Sequence, residues 1–117
     1  MKKTAVICLM RELFRSLSLM ESDLQQRHGM KFNEAMLLCC IGEGVLSASE
    51  ISRQTGLTPS NTSKVLRQLE SKGWLRRSIA GDDHRQVLFK LTADGLGKLS
   101  HLQTDEMEVP ELLRPLL

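Results

Sequence analysis

Residues 47–73, SASEISRQTGLTPSNTSKVLRQLESKG, read as two short helices joined by a tight turn. Ser47 is suited to cap the first helix through its side-chain oxygen, and Glu50 three residues later completes the pattern of a capping box. Gly56 predicts the end of that helix, because glycine readily adopts the positive φ that a sharp stop requires. The segment therefore predicts a helix-turn-helix.

The second helix of this segment has two chemically different sides. Thr58 and Pro59 suit its N-cap and first helical position, and Gly73 suits its end. Helical spacing predicts that the inward side consists of Thr62, Val65, Leu66 and Leu69. The outward side is then Ser60, Asn61, Ser63, Lys64 and Arg67. Each outward residue alone also fits ordinary solvated surface, but together they form one polar and basic face that could lie on duplex DNA.

A β-hairpin is predicted directly after the two helices. Residues 74–79 and 87–91 read as strands, and the polar residues 80–86 form a connection long enough to protrude. A protruding hairpin after such a helix is a wing, and Arg85 near its tip could enter the DNA minor groove. Asp83 could hold the Arg85 guanidinium in place. The alternative is an exposed loop with a surface ion pair that contributes little.

The order of these features resembles the multiple-antibiotic-resistance regulator (MarR) family of winged-helix transcription factors. The resemblance is carried by S-x-x-S-K-V-L-x-x-L-E-x-K-G at residues 60–73, D-x-R at residues 83–85 and L-T-x-x-G at residues 91–95. It implies a mainly α winged helix-turn-helix fold with a small β-hairpin wing. It also implies a homodimer on a pseudo-palindromic operator, usually a repressor, often released by a small-molecule effector or by oxidation.

The sequence departs from the family pattern at two places. Lys64 stands where the family often has arginine, which loses the bidentate geometry that arginine offers to guanine. Thr92 is predicted to cap a fifth helix, and the chain ends soon after that helix, where family members continue into a long C-terminal dimerisation helix. The mode of dimerisation is therefore left open by the sequence.

Charge along the 117-residue chain is uneven. Residues 47–91 contain eight basic and four acidic residues, whereas residues 92–117 contain two basic and five acidic residues. Positive charge thus falls on the proposed DNA surface. The complete predicted DNA-binding set is Ser60, Asn61, Ser63, Lys64, Arg67, Arg76, Arg77, His84 and Arg85, with Asp83 as wing support.

We interpret residues 1–117 as a single winged-helix domain. Residues 1–30 are predicted to form a first helix for dimerisation, residues 47–91 the helix-turn-helix and wing, and residues 92–117 a C-terminal helix and tail. The residues predicted to dimerise are Val6, Met10, Leu13, Leu17, Leu112, Leu113 and Leu116. The alternatives are that the apolar stripe of the first helix packs on this chain's own later helices and that the tail is disordered.

The N-terminus begins like a secretory signal but does not continue as one. Residues 4–10 are mostly apolar, yet Arg11 and Glu12 interrupt the run and no small-residue cleavage site follows. No stretch is long enough to span a bilayer. We therefore expect a cytoplasmic protein without a membrane partner.

The three cysteines do not form a recognisable metal or disulfide motif. Cys39 and Cys40 are adjacent, which makes a bridge between them strained, and they are predicted to be small residues of a buried second helix at 32–41. Cys8 is the only loose candidate for an oxidant sensor. Cofactor and metal sites are not predicted, and the sequence lacks a nucleophile motif, so an enzyme is not expected.

The sequence therefore predicts a sequence-specific regulator that binds double-stranded DNA. One alternative is a winged-helix protein-interaction module that no longer reads DNA sequence. Such a module should expose aliphatic side chains on the outward side of the second helix of residues 47–73. Another alternative is a thiol-based redox-sensing variant of the regulator.

Overall fold

The computed structural model describes residues 3–80, 86–106 and 109–116. Its elements are the helices α1 (Lys3–His28), α2 (Phe32–Ile41), α3 (Ala48–Thr55), α4 (Pro59–Ser71) and α5 (Ala93–Thr104), the strands β1 (Leu46–Ser47), β2 (Leu75–Ala80) and β3 (Gln86–Leu91), and a 3-10 helix, Glu111–Leu116. The chain divides into two compact units. One comprises residues 32–105, and the other comprises residues 1–31 and 106–117.

The unit of residues 32–105 is a helical cluster beside a small antiparallel sheet. Helix α2 contacts α3, α4 and α5, and the sheet has the order β1-β3-β2. Strands β2 and β3 pair from Leu75 opposite Leu91 to Ala80 opposite Gln86. This architecture is a winged helix-turn-helix and confirms the predicted fold class.

The predicted strands are correct to within one residue at each end. The two-residue strand β1, which pairs Leu46 with Phe89 and Ser47 with Leu88, was not predicted. Two residues carry no alternating pattern, and β1 forms only because the distant β3 supplies its hydrogen-bonding partner.

The core of this unit is aliphatic. Its least exposed apolar side chains are Leu37, Leu38, Ile51 and Leu69, at 0 % exposure each. The predicted inward side of α4 is confirmed, because Thr62, Val65, Leu66 and Leu69 are all buried. Burial of several large side chains on one side fixes which side of α4 faces solvent.

Helix α2 corrects two predictions, that Cys39 and Cys40 are core residues and that the whole helix is buried. Its buried residues are Glu34, Ala35, Leu37, Leu38 and Ile41. Cys39 is exposed and Cys40 is only partly buried, so the prediction that both are core residues was wrong. Phe32 is also exposed, at 54 %. A ten-residue helix that is apolar almost all round has no amphipathic pattern by which its outward side could be recognised.

The other unit contains a 26-residue helix, α1, which ends where Gly29 adopts a φ of +66°. Leu24 is 6 % exposed, but the predicted dimerisation residues of α1 are all exposed, namely Val6, Met10, Leu13 and Leu17. The 3-10 helix presents Leu112 and Leu116 to solvent and buries Leu113 only in part. These residues remain predicted partners of a second subunit.

Among the described residues, none of the helices combines the length and the apolar character that spanning a bilayer would need.

Candidate nucleic-acid interface

The helix-turn-helix begins with the capping box that the sequence predicts. The Ser47 hydroxyl accepts a hydrogen bond from the Glu50 backbone N–H at 3.2 Å, and the Ser47 N–H donates to Glu50 Oε1 at 3.2 Å. The bond from the Ser47 backbone, followed by the bond to its side chain, lowers the pKa of the Glu50 carboxyl below its ordinary value. The start of α3 is therefore well defined, which positions the turn that follows.

The turn between α3 and α4 is held by local hydrogen bonds. Gly56 adopts a φ of +79°, and its N–H donates to the Ser52 carbonyl. The Ser52 hydroxyl donates to the Leu57 carbonyl at 2.6 Å. The Thr58 hydroxyl then accepts from the Asn61 N–H at 3.1 Å and caps α4. These contacts fix the direction in which α4 leaves the turn.

The outward side of α4 is available to a partner. Ser60, Asn61, Ser63, Lys64 and Arg67 are all exposed, as predicted. No acidic residue lies in the first turn of α4, so the positive end of the helix dipole is not opposed there by a carboxylate. Hydroxyl, amide and cationic groups at one helix end can contact phosphates and base edges.

A groove of about 720 Å³ lies next to this side of α4, between the start of α3 and the strands of the wing. Ser63, Arg67 and Arg77 contribute its polar lining, and Val87 and Phe89 contribute apolar surface. The groove therefore joins the predicted reading helix to the strands of the wing in one continuous surface.

Arg77 is engaged by α4 and by the sheet. Its Nε lies 3.0 Å from Glu70 Oε2 and its Nη2 lies 2.5 Å from Glu70 Oε1, while Cζ lies 5.6 Å from the centre of the Phe89 ring. The hydrogen bonds to Glu70 raise the pKa of the Arg77 guanidinium. A DNA phosphate would have to compete with Glu70 for this side chain. The sequence did not reveal the pair, because only the hairpin fold brings a strand residue to the end of α4.

Arg76 lies on the opposite face of β2 from Arg77, is exposed, and pairs in register with Lys90. Its cation is thus on the wing surface next to another cation. The predicted wing residues Asp83, His84 and Arg85 lie outside the described residues, so their roles remain predictions.

The junction between α4 and the wing explains why the L-T-x-x-G pattern is suited to this fold. The Thr92 N–H donates to the Trp74 carbonyl at 3.0 Å, and the Thr92 hydroxyl donates to the Gly73 carbonyl at 2.7 Å. The same hydroxyl accepts from the Gly95 N–H at 3.1 Å, which caps α5 as predicted. A Cβ at Gly95 would overlap the Trp74 carbonyl oxygen. Thr92 and Gly95 therefore allow α5 to press against the wing.

The cysteines of α2 lack the environment of a reactive thiol. Partial burial of the sulfur raises the pKa of the Cys39 thiol, and burial followed by the neighbouring Cys39 raises the pKa of the Cys40 thiol. The Cys40 Sγ also lies 3.2 Å from Gln54 Oε1. A raised pKa disfavours the nucleophilic thiolate. No group of three or more His, Cys, Asp or Glu side chains in the described part of the chain is arranged to hold a metal ion.

The capped helix pair, the exposed polar side of α4 and the β-hairpin define a winged helix-turn-helix protein. The family model of the MarR family matches residues 28–86. The HTH-type transcriptional regulator YfiV of Bacillus subtilis strain 168, itself uncharacterized, is 32 % identical over an alignment of 74 residues that covers 58 % of this chain and 46 % of YfiV. The match thus spans less than half the length of this relative.

Solved structures of similar proteins have the same fold. Wild-type MarR from E. coli in its apo form has a TM-score of 0.73 at 21 % identity, with 100 % of this chain and 87 % of that chain covered. FabT from Streptococcus pneumoniae, solved in complex with DNA, has a TM-score of 0.72 at 20 % identity, with 87 % and 74 % covered. The chain belongs to the MarR family, a family of transcriptional regulators rather than a class of enzymes.

Proposed function

We propose that this protein is a homodimeric regulator that binds double-stranded DNA in a sequence-specific manner and represses transcription from a pseudo-palindromic operator. The single observation that carries the proposal is the exposed polar and basic side of α4, which continues into the groove beside the wing. In this proposal α4 enters the major groove, where side chains can distinguish all four base pairs. The FabT structure with DNA supports this use of the fold.

The proposed contact residues have different roles. Asn61 and Lys64 read base edges in this proposal, because an amide suits adenine and a cation suits guanine. Ser60, Ser63, Arg67 and Arg76 contact the DNA backbone, and Arg77 holds the wing to α4 through Glu70 while it lines the groove. His84 contacts a phosphate, and Arg85, braced by Asp83, enters the minor groove.

The outward side of α4 argues against a protein-interaction module. None of the thirteen residues of α4 is an exposed large apolar side chain, since Val65, Leu66 and Leu69 are all buried. A module that had exchanged DNA for a protein partner should show exposed aliphatic residues there. The raised thiol pKa values of Cys39 and Cys40 give no support to the redox-sensing variant at α2.

Dimerisation is assigned to α1 and the tail. Met10 and Leu17 are 62 % and 46 % exposed, and Leu116 is 80 % exposed, so large apolar side chains remain accessible in the single chain. A second copy would remove this surface from water. Two subunits would place their α4 helices on half-sites about 10 bp apart. A small-molecule effector and a cytoplasmic location belong to the same proposal.

The test compares base preference with overall affinity. Operator sequences are selected from a random DNA pool by the wild-type protein and by Lys64→Ala, and affinities are measured by gel shift. We expect Lys64→Ala to lose about 1–3 kcal/mol on the selected operator and to relax preference at one base pair in each half-site. The matched control is Arg76→Ala, which should weaken binding to all sequences by a similar factor.

Two results would contradict the proposal. Identical selected motifs for the wild type and Lys64→Ala would remove Lys64 from sequence reading. A wild-type protein that enriches no motif at all would contradict sequence-specific binding itself.

A further inference from the structure

The first turn of α2 contains a buried charge that the proposed DNA contacts do not use. Glu34 is 2 % exposed, and α2 packs against α3, α4 and α5. An ionised carboxylate in such a place is costly unless a cation accompanies it. Glu34 therefore needs a cation within the core of residues 32–105.

The cation is supplied by the end of α4. The Lys72 Nζ lies 2.7 Å from Glu34 Oε2, an ion pair by distance although it is not aligned as a hydrogen bond. Lys72 is the C-cap of α4, and its backbone N–H donates to the Gln68 carbonyl. The residue that closes the reading helix is therefore attached directly to α2.

The ion pair lies at the junction where the helices and the wing meet. The Lys72 Nζ is 4.8 Å from the centre of the Trp74 ring, and the Lys98 Nζ of α5 is 5.4 Å from it. The Trp74 N–H donates to the Leu69 carbonyl of α4 at 3.0 Å. A shift of α2 relative to α4 would therefore have to break the Glu34 contact or move the whole junction.

We infer that Glu34 and Lys72 form a positioning contact that sets the orientation of α4, so that specific DNA affinity depends on a buried carboxylate remote from the reading side chains. This inference rests on the proposed function. Buried ion pairs contribute little net stability compared with apolar replacements, but they can favour one arrangement over its neighbours. Base reading needs such precision, whereas attraction to phosphates does not.

The test is a double-mutant cycle on the full chain, with Glu34→Gln, Lys72→Met and the double variant. Each protein is titrated with the operator selected by the wild type and with an unrelated duplex of equal length. We expect either single variant to lose about tenfold in operator affinity with little change on the unrelated duplex. The double variant should lose no more than one single variant, because the contact is already absent.

Asp94→Asn is the matched control, since it removes one carboxylate from the exposed first turn of α5 and should cause no loss of affinity. Circular dichroism and thermal melts establish that each variant is folded. If either single variant does not fold, the other single variant and the double variant, which removes both charges of the pair, still test the inference: a selective loss of operator affinity supports it and an unchanged affinity overturns it.

Three outcomes overturn the inference. Operator affinity could be unchanged in folded variants whose only change is a lower melting temperature, which would make the contact purely stabilising. Both duplexes could lose affinity equally in Lys72→Met, which would make Lys72 a phosphate contact. The two single losses could add in the double variant. A wild type without any sequence preference would instead overturn the proposed function, and the inference with it.

Discussion

At the scale of single residues, Gly95 has a role that its backbone conformation does not reveal. It lies inside α5 and does not adopt a positive φ, so it has no local need for glycine. Its requirement comes from the Trp74 carbonyl, which a Cβ would overlap. Sequence reasoning identified Thr92 as a cap because capping is local, but the reason for Gly95 requires knowledge of which backbone approaches it.

The glycines of α5 provide a matched pair of variants. Gly95→Ala should destabilise the protein by about 1–3 kcal/mol, because the Trp74 backbone must move. Gly97→Ala, where nothing lies within 4 Å, should stabilise it by about 0.5–1 kcal/mol through reduced chain entropy and better helix propensity. Urea unfolding measures both changes. Equal effects in the two variants would disprove the close approach of α5 to Trp74.

At the scale of elements, the helix-turn-helix could be predicted from its own residues. Ser47, Gly56, Thr58 and Pro59 each act within a few positions of themselves, so their signals survive without the rest of the fold. Helix α2 and strand β1 could not be predicted equally well, because tertiary neighbours decide which side of α2 is buried and whether β1 pairs at all. The Glu70 contact of Arg77 was missed for the same reason.

The capping box of α3 predicts a pH dependence. The folded-state pKa of Glu50 is lowered, so its contribution to the free energy of unfolding is present above the ordinary carboxyl pKa and is lost as pH falls through the lowered value. Glu50→Gln keeps a capping group but does not titrate. The stability advantage of the wild type over Glu50→Gln should therefore shrink on acidification. Chemical unfolding at a series of pH values measures it, and a constant difference would exclude this linkage.

At the scale of the whole molecule, the role of α1 and the tail is less determined by the sequence than the fold of residues 32–105. The apolar spacing of α1 was visible in the sequence, and the structure leaves those side chains exposed. Neither observation identifies the partner, because a second copy of the chain is not part of a single subunit's fold. The dimer therefore stays a prediction.

Two equally exposed residues on opposite sides of α1 test the predicted dimer contact. Met10 and Leu19 are 62 % and 63 % exposed, and nine residues at about 100° each place them on opposite sides of the helix. Met10→Glu should convert the dimer to a monomer, since it would bury a charge in the subunit contact, while Leu19→Glu should not. Light scattering measures the mass. A dimer that persists in Met10→Glu would place the subunit contact elsewhere.

The pairing of Arg77 with Glu70 has a consequence for the ionic atmosphere of the DNA. A protein cation that replaces a condensed counterion on a phosphate releases that ion into solution, and this release makes binding weaken steeply as salt is added. The charge of Arg77 is already paired with Glu70 within the protein, so in the proposed complex it should displace no ion when the duplex arrives. The steepness of the salt response should therefore count the cations that meet phosphates, Arg67 and Arg76 among the described residues, and leave Arg77 out of that number.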